Sequence, residues 1–442
     1  MTTKQSRNVM PVVEGGLCTG CGTCEAVCPR YAITLVIDGR KGVYLPRLDR
    51  GRCTDCGLCL ATCPGQSVNF REFNQRIFGK QPEDLQIGNY LGCYVGYAAD
   101  HQVRYDAASG GVVTSLLIHA IEKGLIHGAL VTGMRHDAPL RPNPIIARTS
   151  DEIISASRSK YCPVPANIAL RQIRDAPDDQ KFAVVGLPCH LHGIRKIESV
   201  DRRIREKLVL HIGLFCSHPM TFWGTEFLLR KYNVNREDVV SLDYRGSGWP
   251  GCMKIRMRNG SRMVIPLHEY IIYHDLGCFT PWRCTLCCDH LNELADISVG
   301  DPWLPEQRCD NIGSSTIICR SQIGENILRS AVDEEQIAVR DLDTKRVRLM
   351  NTKKLSFVVA SRIAKLLGRR LPSYDMALGG ETDQLATYPL FVYLYALPLS
   401  ILLYPHMMLS RLEFWPLMKS LVAAEHAFMN AGTRTVRLVK LK

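Results

Sequence analysis

The chain predicts an α+β / α/β multidomain architecture: a small cysteine-rich module, a mixed α/β domain, and a helical, apolar, basic C-terminal region. Three observations predict it. Eight of the 19 cysteines fall between Cys18 and Cys63 in two matching runs. From about residue 93 to 344, strand-like and helix-like patterns alternate. Beyond 345, charge and hydropathy change together. The length, 442 residues, fits about three domains. With 46% hydrophobic and 22% charged residues, the composition is that of a globular protein. The expected boundaries are 1–75 for the first module, 76–92 for a linker, 93–175 and 176–344 for two parts of the central domain, and 345–442 for the rest.

The first module is an internal repeat. Its runs read Cys18-Thr-Gly-Cys21-Gly-Thr-Cys24-Glu-Ala-Val-Cys28-Pro29 and Cys53-Thr-Asp-Cys56-Gly-Leu-Cys59-Leu-Ala-Thr-Cys63-Pro64. Each fits the cysteine run of a bacterial two-cluster ferredoxin, whose fourth cysteine ligates the other cluster. The spacing therefore assigns Cys18, Cys21, Cys24 and Cys63 to one [4Fe-4S] cluster. It assigns Cys53, Cys56, Cys59 and Cys28 to a second. A zinc ribbon needs two cysteines per element, not three plus one before proline. Each run is followed by a short apolar stretch, Ala32–Ile37 and Ser67–Phe70, which completes a ferredoxin-like cluster-plus-strand unit.

Thiolate clusters imply a reducing compartment, so a cytoplasmic location is expected. Met1–Leu17 contains Lys4, Arg7 and Glu14 and has no apolar core, unlike a secretory leader. The formal charge of +12 is uneven: residues 345–442 hold 15 Lys/Arg against 5 Asp/Glu. No basic stripe interleaved with aromatics accompanies it, which speaks against nucleic-acid binding.

In the central region, Val112, Val113, Leu116, Leu117, Ala120 and Ile121 share a helical face, and Gly124 follows as a C-cap. Gly128–Gly133, Lys181–Gly186 and Leu208–Phe215 read as buried strands, and Leu187-Pro188-Cys189 leads into a helix. Alternation of this kind predicts some parallel pairing. Residues 252–273 read as antiparallel strands turning at Asn259-Gly260.

Gln384–Ser410 is 27 residues without Asp, Glu, Lys or Arg, interrupted by Pro389, Pro398 and Pro405. A basic segment with Trp415 follows. Three readings stay open for 384–442: buried helices or a partner-binding surface, peripheral membrane contact on the cytoplasmic face, and a true span.

Eleven cysteines lie outside the first module. Cys284-Thr-Leu-Cys287 is a further Cys-x-x-Cys with Cys288 adjacent, while Cys189 and Cys216 sit where expected strands run into turns. By spacing alone these are either buried core cysteines or a third metal site. Ala108-Ser109-Gly110-Gly111 precedes the helix at Val112. Glycines there let backbone N–H groups approach a phosphate, though the same pattern also serves as a plain turn. His190 and His192 follow Cys189 and either tune a cluster or simply pack. Asp296 and Asp301 bracket a strand and either contact a ligand or cap turns.

Residues 93–344 resemble the beta subunit family of deazaflavin (coenzyme F-420) hydrogenases and dehydrogenases. The matching stretches are Ser109–Leu117, Ser159-Lys160-Tyr161, Gly186–Arg195, Gly213–Cys216, and Cys284–Asp289 through Ala295–Asp301. The family is related to plant 7-hydroxymethyl chlorophyll a reductase. The resemblance implies a flavin-binding domain that carries FAD and a third [4Fe-4S] cluster. It implies FAD contacts from Ser109, Gly110, Gly111, Ser159 and Lys160. It implies cluster ligands Cys189, Cys216, Cys284 and Cys287, with Cys162 or Cys288 as substitutes for Cys216. Lys160 and His190 are the candidate catalytic groups. The expected activity is an iron–sulfur flavoprotein oxidoreductase. It would pass electrons between a ferredoxin or partner subunit, the clusters and FAD, with hydride exchange to coenzyme F-420 or another small organic substrate. The alternative is a non-catalytic electron-transfer subunit that docks to a larger redox enzyme or membrane complex.

Overall fold

The computed structural model describes residues 6–375 except 276, 308 and 352. The apolar segment 384–410 and the basic segment after it lie outside the described residues. Among the described residues, no helix is long and apolar enough to cross a membrane.

In the first module each cysteine run turns through a left-handed glycine, Gly22 at φ +89° and Gly57 at φ +88°, into a one-turn helix. A side chain at Gly22 would be strained by that φ and would also meet Ile168, its Cβ lying 2.8 Å from the Ile168 side chain. Strands β1 (Ile33–Asp38) and β2 (Val43–Leu48) form an antiparallel hairpin. Strand β3 (Ser67–Asn69) does not repeat this hairpin, because the chain turns at once into the helix Phe70–Phe78, whose N-cap Asn69 accepts from the Glu72 N–H. That helix reaches into the expected linker. Beyond it, Ile87 and Asn89 are buried, so the segment packs against the body.

The central sheet has eight strands: β4 (Gly92–Ala98), β5 (Gly128–Met134), β6 (Pro142–Ala147), β7 (Phe182–Gly186), β8 (Leu208–Leu214), and three more after a separate three-stranded sheet. The separate sheet comprises β9 (Val239–Asp243), β10 (Cys252–Met257) and β11 (Arg262–Pro266), with the expected turn at Gly260. Its third segment differs from expectation: Leu267–Asp275 is a helix, with Tyr270, Tyr273 and His274 buried along it. The chain then returns to the central sheet as β12 (Ile297–Gly300), β13 (Ser315–Cys319) and β14 (Ile337–Asp341).

The order across the central sheet is β14-β4-β13-β12-β8-β7-β5-β6. Strands β5, β7, β8 and β12 are mutually parallel, and β13, β4, β14 and β6 pair antiparallel at the margins. The parallel strands are largely apolar because both faces are buried: Phe182, Ala183 and Val184 have no exposed surface. The carboxyl ends of β7, β8 and β12 share one edge of the sheet and lead to Cys189, Cys216 and Asp301. In open α/β sheets such an edge gathers sites. A last strand, β15 (Ser373–Asp375), pairs parallel with β3.

The helix Pro188–Glu198 joins the module to the sheet. Gly193 lies so close to Thr23 and Asn167 that a Cβ would overlap the Thr23 hydroxyl and sit 3.0 Å from the Asn167 amide. Asn167 in turn donates to the Thr23 hydroxyl and the His190 carbonyl, both at 2.9 Å. Lys196 donates to the carbonyls of Cys63 and Ser67.

The other flank of this helix enters a buried ionic network. Arg195 bonds Glu198 at 3.2 Å, and His211 on β8 bonds Glu198 at 2.5 Å and Asp296 at 2.9 Å. Burial alone would raise the Glu198 carboxyl, but His211 and Arg195 overrule it and hold it at about 2. Asp296 is likewise held below the carboxylate range against burial by His211 and Arg195. Burial and Arg195 oppose the charge on His211, yet Glu198 and Asp296 raise it above the usual value.

Two outcomes follow from this junction. Gly193→Ala overpacks it and costs about 1–3 kcal/mol, read as a lower Tm by circular dichroism. In the second, Glu198 is ionised in the folded chain down to a lower pH than in the unfolded chain. Its stabilisation is therefore complete above its ordinary value of 4.5 and disappears as pH falls toward about 2. Glu198→Gln should be less stable at neutral pH, with a shallower loss of stability between pH 5 and pH 3 in urea titrations.

Candidate iron–sulfur sites and cofactor loop

The two cysteine runs fold so that the fourth cysteine of each crosses to the other. Cys18, Cys21, Cys24 and Cys63 line one cavity, and Cys28, Cys53, Cys56 and Cys59 line another. Burial first, and the neighbouring Cys63 second, push the Cys18 thiol up to about 12. Burial and then Cys28, Cys56 and Cys53 push Cys59 up to about 11. Burial and the thiols of its own set raise Cys24 well above the usual value, and Cys59 of the other set adds to this. The two cavities are thus electrostatic neighbours. Bare thiolates are disfavoured in both, so each set is built for a cationic core that compensates the charge.

A third set converges from two strand ends and one further segment. Cys189 begins the helix after β7, Cys216 follows β8, Cys284 lies on the one-turn helix Trp282–Thr285 and Cys287 just beyond it. Burial raises the Cys189 thiol, and so do Cys21, Cys216, Cys284 and Cys287. The third set is therefore adjacent to Cys21 of the first module. Cys162 and Cys288 are placed elsewhere. Cys162 packs with Met220 and Tyr244, and Cys288 packs with Val68 and Phe70. Among the described residues, no three His, Cys, Asp or Glu side chains converge as a single metal ion requires. A cubane, with one thiolate per iron, sets its ligands further apart.

Hydrogen bonds fix the loop of the third set. Asn292 donates to the carbonyls of Gly186 at 2.8 Å and Leu214 at 3.2 Å, tying it to the ends of β7 and β8. Asp289 accepts from the backbone of Asn292 and Glu293 and pairs with His192 at 2.9 Å. Arg283 reaches the Leu17 carbonyl, the Leu286 carbonyl and the Tyr374 hydroxyl, so one guanidinium links the module, this loop and β15. His190 is occupied locally: its Nδ1 accepts from the Leu187 N–H and its Nε2 donates to the Val164 carbonyl. Burial lowers it to about 4, so the ring is neutral.

Ser109, Gly110 and Gly111 lie at the same edge of the sheet as the cysteine set. Gly111, at φ +75°, caps the helix Val112–Glu122. The Ser109 hydroxyl bonds the Ser315 hydroxyl at 2.8 Å, and the Gly110 N–H donates to Ser315 at 2.9 Å. A Cβ at Gly110 would lie 2.7 Å from the Gly96 carbonyl. Lys160 is half-buried, and its side chain folds back on the chain before it. Its ammonium donates to the carbonyls of Ala156, Ser157 and Arg158 at 2.5, 2.6 and 2.9 Å. Burial lowers it to about 7. Ser159, beside it, is half-buried.

Sequence reasoning missed the loop that covers this site, Arg245-Gly-Ser-Gly-Trp-Pro-Gly251. Buried Arg245 donates to the Ala108 carbonyl at 2.5 Å, the Tyr161 hydroxyl at 2.9 Å and Asp301 at 3.2 Å. Trp249 donates to Asp301 at 2.8 Å and packs against Trp303, which is 57% exposed. The Arg245 Nε and the Ser247 hydroxyl are buried without a hydrogen-bond partner among the described residues. The available signal was three glycines in seven residues, each at positive φ in the structure. Asp301 therefore holds the loop, whereas Asp296, at the other end of β12, belongs to the ionic network.

Residues 17–67 match the 4Fe-4S dicluster domain. Residues 93–171 match the N-terminal part, and 179–345 the C-terminal part, of the coenzyme F420 hydrogenase/dehydrogenase beta subunit. The chain is 28% identical over 291 residues to the coenzyme F420 hydrogenase subunit beta of Methanothermobacter thermautotrophicus, covering 65% of this chain and 97% of that one. It is 29% identical over 359 residues to the coenzyme F420-dependent sulfite reductase of Methanocaldococcus jannaschii, covering 76% of this chain and 50% of that protein. In fold it resembles a chain of the F420-reducing [NiFe] hydrogenase complex from Methanosarcina barkeri, with a TM-score of 0.50 at 24% identity over 64% of this chain and 94% of that one. With both family segments matched in order around the sheet and its cysteine edge, the chain belongs to the coenzyme F420 hydrogenase/dehydrogenase beta subunit family.

Proposed function

We propose that the protein is an iron–sulfur flavoprotein oxidoreductase that exchanges electrons between a one-electron carrier and coenzyme F420. The observation that carries this reading is the gathering of twelve cysteines into three adjacent sets, the last beside the Ser109–Gly111 loop. Cys18, Cys21, Cys24 and Cys63 would hold one [4Fe-4S] cluster, Cys28, Cys53, Cys56 and Cys59 a second, and Cys189, Cys216, Cys284 and Cys287 a third. The names of the relatives support coenzyme F420 as the substrate, since it recurs in hydrogenase, dehydrogenase and sulfite reductase alike.

Ser109, Gly110 and Gly111 would hold FAD, with Ser159 alongside. The unpartnered Arg245 Nε and Ser247 hydroxyl fit an acceptor-rich group such as a pyrophosphate. When bound, the clusters supply one-electron relay, and FAD supplies the conversion between one- and two-electron chemistry. The protein's own part is positional. Asp301 orients Arg245 and Trp249, and Asn292 keeps the cysteine loop on the strand ends. Lys160, committed to three carbonyls, secures the turn that carries Ser159. His190 and His192, held by Val164 and Asp289, orient the Cys189 helix rather than move protons.

A second reading, an electron-transfer subunit within a larger redox complex, is supported by the relatives named as subunits. Turnover of coenzyme F420 by the isolated chain with a viologen dye separates the two. Turnover supports the first reading, and its absence in flavin-replete protein sinks it.

Anaerobic purification should give about 12 irons, with matching sulfide, and one FAD per chain. Cys189→Ala should retain about 8 irons and the signals of two clusters by electron paramagnetic resonance. Ser109→Asp should lower bound flavin several-fold through like-charge repulsion while iron content stays unchanged. Loss of all iron in Cys189→Ala would contradict the separation of the three sites.

A further inference from the structure

The cavity lined by Cys28, Cys53, Cys56 and Cys59 differs from the other cavity of the module in facing solvent. Cys56 is exposed and Cys53 half-buried, with Cys28 and Cys59 buried, whereas around the neighbouring cavity Cys18 is half-buried, Cys21, Cys24 and Cys63 are buried, and none is exposed. Of the module's cysteines, it is Cys21 of the other cavity that interacts with Cys189 of the third set.

Its rim is rich in arginine. Arg30 lines the cavity itself. The Arg7 guanidinium lies over Gly57, 3.6 Å from where a Cβ there would stand. Arg50 and Arg52 stand on the turn that Cys53 closes through its N–H to the Asp49 carbonyl. All four are exposed. The two aspartates of the rim are already engaged: Asp49 pairs with Arg52 at 3.4 Å, and Asp55 accepts from the Asn8 amide at 2.9 Å. Large apolar surface is scarce there. Tyr31 is exposed, but its ring is covered on one side by Arg171 at 4.2 Å.

We propose that this face is the docking site of a small diffusible one-electron carrier protein with an acidic surface. The inference rests on the reading that the Cys28/Cys53/Cys56/Cys59 cavity holds a cluster. Transient redox encounters use small, polar, charge-matched interfaces, whereas a permanent subunit would call for a larger apolar one. Arginines around an exposed thiolate edge steer an acidic partner to the point of shortest transfer, and they do so most strongly at low salt.

The test uses the full chain with its clusters and an acidic plant-type [2Fe-2S] ferredoxin as probe, with binding followed by calorimetry. The wild-type protein should bind at low salt and lose binding at high salt. Arg7→Glu combined with Arg50→Glu should weaken binding by about tenfold or more. Arg262→Glu, on the exposed strand β11, should bind as wild type. Iron content and the electron paramagnetic resonance spectrum should be unchanged in both variants, which separates docking from cluster loss. Absent wild-type binding, salt-insensitive binding, or equal weakening by Arg262→Glu would overturn the docking site while leaving the oxidoreductase reading intact. Protein with no iron in this cavity would overturn both.

Discussion

The close approach of the helix Pro188–Glu198 to the cysteine module is the constraint on which the rest of the structure depends. Gly193 permits it, since a larger residue would meet Thr23. From this one contact the other placements follow. The first residues of the helix carry Cys189 to within electrostatic range of Cys21. Its last turn sets Arg195 and Glu198 against His211 and Asp296. Buried ion pairs return little net stability relative to a well-packed apolar core, but leaving one partner alone is costly. The network is therefore better understood as a register device. It fixes how far the helix sits along β8 and β12, and with that the distance from the module to the Ser109–Gly111 loop.

Electrostatics inside the thiol cavities and around them run in opposite senses. Inside the cavities, desolvation and mutual repulsion disfavour bare thiolates. Around them sit cations that are themselves satisfied by carbonyls: Lys196 on Cys63 and Ser67, Arg283 on Leu17 and Leu286. These cations lower the cost of negative charge nearby without competing for it. Positive charge is thus held beside Cys63 of the first set and beside Cys284 and Cys287 of the third.

Much of this was legible in the sequence, for identifiable reasons. The spacing of the first eight cysteines reports chemistry directly, because each thiolate position is dictated by cluster geometry. Strands β5, β7 and β8 were legible because strands buried on both faces are continuous apolar runs. The antiparallel turn at Gly260 was marked by Asn-Gly. The helix Leu267–Asp275 was not, since a short apolar run with aromatics suits either state. The choice among Cys216, Cys162 and Cys288 could not be made from spacing, because the set is assembled from two strand ends and a third segment far apart in the chain. The role of Arg245–Gly251 was hidden for the same reason: its partners Ala108, Tyr161 and Asp301 are all distant in sequence. The ionic network escaped because Arg195, Glu198, His211 and Asp296 individually look like ordinary polar residues.

The parallel pairing of β3 with β15 has a consequence for how the chain is made. Synthesis runs from the N-terminus, so the cysteine runs leave the ribosome early. Yet Val68 has no strand partner until Tyr374 has emerged, about three hundred residues later. The same tyrosine closes over Arg283 and the ring of Phe70. The cysteine cavities are lined by residues 8–64 alone, but the sheet edge beside them is completed only by the last described residues of the chain.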